Sequence, residues 1–208
     1  MITAILNHPT MGAVAVFLVT VLEAMMAAPI LLASGRGPAR IELWLTAIAV
    51  ALVAAAVAGS VYLVATLLGS EGGHWTGAAL LCGLGLYLGY RFGIARNSTY
   101  RAYLFDQVVP HPRGRFRHRV AGVAIWVVGV EAIKIGVAWL GASLLVGPLP
   151  PTIALLLGLV AVVLPGIVRG RSAYTIISPS ALYSVTMLYV VLYGYIRLID
   201  LIHTRGWL

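Results

Sequence analysis

Apolar residues gather in six long runs, at about Gly12–Ala33, Leu43–Leu68, Trp75–Ala95, Val120–Val146, Thr152–Val168 and Ala181–Ile202. An α-helix needs about 20 mostly apolar residues to cross the hydrocarbon core of a bilayer. The pattern therefore predicts an all-α, polytopic membrane protein with six transmembrane helices. The fifth run is the shortest, and Pro165-Gly166 near its end predicts a bend or an exit. Ser178-Pro179 ahead of the sixth reads as an N-cap followed by proline at the first helical position. Trp44, Trp75, Trp139 and Trp207 fall near run ends, as an interfacial aromatic belt requires.

Composition agrees with the pattern. The 208 residues are 61% apolar and only 10% charged, which excludes a water-soluble globule. No soluble domain fits beside six spans, so 1–208 reads as a single integral membrane domain. The net charge is +8, with thirteen arginines to one lysine. Basic loops facing anionic headgroups account for it, and nucleic acid is not an expected partner. The lone cysteine, Cys82, lies in an apolar run and excludes a disulfide framework. No lysine or arginine precedes Arg36, so the start lacks the basic region of a cleavable signal peptide.

The connections sort by charge. The first carries Arg36 and Arg40; the third carries Arg96, Arg101, Arg113, Arg115, Arg117 and Arg119; the fifth carries Arg169 and Arg171. The second has Glu71 and no base, and the fourth, Gly147 to Pro151, has no charge. The positive-inside rule then puts the odd connections in the cytoplasm and both termini outside. A bacterial or archaeal cytoplasmic membrane is the expected location. Five or seven spans would destroy this alternation.

An internal repeat follows. Phe17-Leu-Val-Thr-Val-Leu-Glu23-Ala24 resembles Ile125-Trp-Val-Val-Gly-Val-Glu131-Ala132, and Tyr87-Leu-Gly-Tyr90-Arg91 resembles Tyr193-Gly-Tyr195-Ile-Arg197. The glutamates are 108 residues apart and the Tyr/Arg motifs about 106. The expected plan is one repeat over about 10–96, a basic cytoplasmic loop over 97–118 and a second repeat over about 119–204. Three helices per unit invert the second copy, a plan common among transporters with a midplane site between the copies.

Three charges fall deep in the runs. Glu23 reads as a cation or proton ligand, or as a protonated carboxyl bonded to a neighbouring helix. Pro29, six residues on, loosens the backbone and can free a carbonyl. Glu131 and Lys134, three apart, share a helix face. They form either a structural pair or a coupling site in which a substrate cation competes with the lysine. Tyr90, Arg91, Tyr195 and Arg197 read as interfacial anchors with snorkelling arginines, or as gates at the two mouths of a pathway. Gly85, Gly89 and Gly93, spaced by four, suit close helix packing.

Other features are weaker. The five histidines are scattered, and His74 with Glu71 makes at most a weak metal-collecting spot in a solvated loop. No catalytic, cofactor or metal motif occurs, so no cofactor or metal is expected. The run holding Arg113, Arg115, Arg117 and Arg119 reads as a lipid-docking patch or a docking site for a partner. Tyr100–Val109 before it fits a short interfacial helix. Asn97-Ser98-Thr99 matches a glycosylation acceptor on the wrong side of the membrane.

Leu22-Glu23-Ala24, Val130-Glu131-Ala132, Arg36-Gly-Pro-Ala-Arg40, Arg169-Gly-Arg-Ser-Ala and Ser178-Pro-Ser-Ala-Leu182 together resemble the lysine-exporter-like superfamily of small transporters. The likeness is nearest the branch of the cation exporters and iron-permease-like proteins. It implies two three-helix repeats with a glutamate in the first helix of each. The chain departs from those relatives in lacking both E-x-G-D and Arg-Glu-x-x-Glu patterns. Two functions are therefore expected: a small secondary transporter or ion-pathway protein using Glu23 and Glu131, or a non-catalytic subunit of a larger membrane complex. The expected partners are anionic lipid and either other membrane subunits or a second copy of the chain.

Overall fold

A computed structural model describes residues 8–33, 38–67, 69–95, 117–169 and 179–205. They form α1 (Pro9–Ala33), α2 (Pro38–Leu67), α3 (Ser70–Ala95), α4 (Arg117–Val146), α5 (Leu149–Arg169) and α6 (Pro179–Thr204). No strand occurs among the described residues. Among the described residues, four stretches are long and apolar enough to cross a membrane: Pro9–Ala27, Ile48–Leu67, Val128–Val146 and Ala181–Thr204. The apolar stretch of α5, Leu149–Pro165, is shorter. In α3, seven glycines, two tyrosines and Arg91 dilute the hydropathy. The chain is an all-helical protein with the composition of an integral membrane protein.

Helix ends at Ala33, Ala95 and Val146 coincide with the ends of apolar runs, and α6 starts at Pro179, whose missing N–H costs nothing at a first helical position. Pro165 does not end its helix: α5 continues to Arg169. So near the C-terminus the proline forfeits one backbone bond, and its ring lies on an exposed face where it displaces nothing. Gly69 and Gly147, with φ of 89° and 84°, make the tight reversals from α2 to α3 and from α4 to α5.

The packing pairs fix the directions. Glu23 meets Lys134, and Gly12 lies against Ala142 and Val146, so α1 and α4 are antiparallel. Gly73 faces Leu144 and Gly77 faces Gly141, so α3 is antiparallel to α4. Cys82 faces Gly194, Gly85 faces Val191 and Gly89 faces Met187, so α3 is antiparallel to α6. Val50 lies by Gly129 and Ala58 by Gly136, so α2 runs parallel to α4. Helix α5 packs on α1 through Gly158 against Thr20. The starts of α1, α3 and α5 and the ends of α2, α4 and α6 thus share one end of the bundle. The second helix of each half packs mainly on the first helix of the other: α2 on α4, α5 on α1.

Small residues make these approaches possible. A Cβ at Gly85 would meet the Val191 backbone nitrogen at 2.7 Å, and one at Gly77 the Gly141 carbonyl at 2.6 Å. The buried core comes from α1, α3, α4, α5 and α6, with Val16, Val19, Leu22, Leu81, Leu88 and Val190 at its centre. Helix α2 lies outside it: Leu52, Val53, Leu63 and Val64 are each about 60% exposed. In water such a face would be a large apolar patch; against acyl chains it is matched to its solvent.

Candidate functional site

The six helices bring three mid-helix charges into one contact. Glu23 projects from α1 and is fully buried; Glu131 and Lys134 project from α4 and are also buried. Lys134 Nζ donates to Glu23 Oε2 and pairs with Glu131 Oε2, so one ammonium bridges two carboxylates. The two carboxyl groups are themselves within hydrogen-bonding reach. Local geometry produces half of this. Residues three apart lie on one helix face, which joins Glu131 to Lys134. The antiparallel register of α1 on α4 supplies the other half. Glu23 Oε1 has no hydrogen-bond partner among the described residues.

A wider polar shell surrounds the bridge. Tyr183 of α6 is close enough to Glu23 and Glu131 to interact with both carboxylates, and its hydroxyl lies beside Arg91 of α3. Arg91 also lies beside Tyr87 and is attracted to Glu131. Two carboxyl groups here meet one ammonium and one guanidinium. Pairing of this kind is what a low-dielectric interior demands, since an isolated ion there is far more costly than a paired one. A centre built this way can take up or release one proton, or exchange its internal ammonium for another cation.

The Tyr/Arg motifs divide into inner and outer residues. Tyr90 and Tyr195 are 68% and 56% exposed and point away from the bundle. Tyr193 is buried, and Arg197 is enclosed, with Nη1 3.5 Å from Asp200 Oδ2 and Nε unpartnered among the described residues. The α3–α6 contact itself is made by close approaches of Gly194 to Cys82 and of Gly85 to Val191. Of the glycine stripe, Gly85 and Gly89 form that contact; the surroundings of Gly93 lie outside the described ones. Glu71 is taken by Arg205, and no cluster of three potential metal ligands occurs among the described residues. Trp139 donates to Thr152 Oγ1 at 2.9 Å and packs on Tyr62, tying α4 to α5 and α2.

Arg36, Arg113, Arg115, Tyr100–Val109 and Asn97-Ser98-Thr99 lie outside the described residues, and Arg117 and Arg119 are described only as the first turn of α4. Two features of the site had no sequence signal of their own. Tyr183, in the first turns of α6, looks like any interfacial tyrosine. The contact of Glu23 with Lys134 spans 111 residues.

An open groove of about 650 Å³ runs between α3 and α4. Ala79, Leu80, Leu84, Val130, Ile133 and Val137 supply its apolar lining, and Thr76, Tyr87 and Lys134 its polar points. Comparison with models of known protein families, with curated proteins and with solved structures finds no match for this chain.

Proposed function

We propose that the chain is a small secondary transporter or ion-pathway protein, with Glu23 and Glu131 as its cation- or proton-binding carboxylates and Lys134 as a built-in counter-charge. The observation that carries this reading is the single ammonium bridging two buried carboxylates from α1 and α4. Charged groups at this depth cost several kcal/mol in a bilayer and are characteristic of ion pathways and proton relays.

The proposed membrane architecture is six crossings in two inverted three-helix units, 10–96 and 119–204. Its support is the alternation of helix directions and the reciprocal packing of α2 on α4 and α5 on α1. In such an arrangement Glu23 and Glu131 occupy equivalent positions beside the pseudo-twofold axis, as inverted-repeat transporters require. The helix ends that flank the arginine-bearing connections share one end of the bundle, which supports extracytoplasmic termini in a bacterial or archaeal inner membrane. The resemblance to the lysine-exporter-like superfamily points the same way.

Flux of monovalent cations and protons into proteoliposomes tests the reading. Glu23→Gln and Glu131→Gln should each abolish transport. Wild-type flux in both variants would overturn the assignment and leave the non-catalytic subunit as the better account.

A further inference from the structure

The groove between α3 and α4 reaches Lys134 from the side of the bundle. Its volume, about 650 Å³, is that of a small-molecule site, and its walls are apolar side chains with one aromatic ring, Tyr87. Among the described residues Lys134 is the one charge lining it, and the two carboxyl groups pair with that ammonium. Glu23 itself is fully buried. A hydrated inorganic ion coming by this route would shed its water against an apolar wall. A cation that carries its own apolar surface would not.

We infer that the carboxylate centre takes a lipophilic organic cation, entering sideways from the bilayer through the α3–α4 groove and exchanging with one proton. The inference rests on the transporter reading and names its substrate class. Charge balance dictates the exchange. The charged or titratable groups near the centre, among the described residues, are Glu23 from α1, Glu131 and Lys134 from α4, Tyr87 and Arg91 from α3 and Tyr183 from α6. The described side chains of α2 and α5 add no charge. A monovalent cation seated against the carboxyl groups leaves the total charge of the centre unchanged when the centre gives up one proton. Tyr87 then offers a ring face to the cation.

Tetraphenylphosphonium is the probe, added to the purified full-length protein in weakly buffered detergent. Binding by the wild type should release about one proton per cation. Glu23→Gln combined with Glu131→Gln should abolish probe binding and the proton release with it. Gly83→Phe fills the groove at a position where an added side chain meets open space, and Ala79→Phe fills it from the same helix. Each should weaken probe binding by about tenfold or more while leaving carboxylate-dependent flux of small cations intact.

No binding by the wild type, binding without proton release, equal binding in both filled variants, or binding kept by the double glutamine variant overturns the inference. If Glu23→Gln and Glu131→Gln nevertheless abolish small-cation flux, the transporter reading stands without it. If no flux depends on either carboxylate, both fall. A dimer that both filled variants dissociate without loss of probe binding would assign the groove to a second copy of the chain, and also overturns it.

Discussion

Two ion pairs in this protein use the same chemistry in different surroundings. At the end of the bundle, Arg205 meets Glu71 with side chains 39% and 60% exposed. In the interior, Lys134 meets Glu23 and Glu131 with side chains almost fully enclosed. The outer pair replaces water with protein at little gain, because both ions remain solvated and salt screens them. The inner bridge has no such fallback. Its members hold one another in charge states that the surrounding apolar helices would otherwise reject. The difference explains why the same three atoms that carry the proposed chemistry also hold α1 against α4.

Removing the central ion should show this most strongly. Lys134→Met leaves two carboxylates facing each other in an apolar interior, and a stability loss of about 3–5 kcal/mol is expected. Thermal unfolding in mild detergent reads it, and a midpoint no lower than that of a Glu71 variant would break the comparison. Glu23→Gln and Glu131→Gln are next. Each leaves Lys134 one ionised partner and an isosteric amide, so a loss on the order of 1–2 kcal/mol is expected. Combining Glu23→Gln with Lys134→Met should be less costly than the sum of the two, by about 1–3 kcal/mol, because the members are in contact. Additive losses would mean that the bridge is not an energetic unit. Glu71→Gln should cost under about 1 kcal/mol, and the cost should vanish as salt is raised. A salt-independent loss there would mean that the outer pair is as desolvated as the inner one.

Much of the fold was legible along the chain because a bilayer imposes simple terms. Runs of about 20 apolar residues, closed by Gly69, Gly147 and Pro179, locate helices and turns without reference to any partner. Pro165-Gly166 marks the close of the fifth run, and α5 continues only to Arg169, because a single lost backbone bond near a C-terminus is tolerated when the ring faces outward. Glu23, Glu131 and Lys134 were legible as a short list because so few charges lie within the runs. The pairing of Glu131 with Lys134 was legible too, from their spacing. Arg197 was not: its place near a run end suits snorkelling, yet its side chain is buried among the helices.

What the sequence determined by itself is the number, the extent and the apolar character of the helices, together with the identity of the few charges among them. Only the tertiary structure decided that Glu23 meets Lys134 across 111 residues, that Tyr183 and Arg91 come to the same centre, and that a groove reaches the ammonium. The physical reason lies in the helices themselves. A soluble helix carries an apolar stripe that tells which face turns inward. Helices that are apolar nearly all round carry no such mark. Their rotation and register come instead from close contacts between small residues and from the cost of leaving a buried charge without a partner.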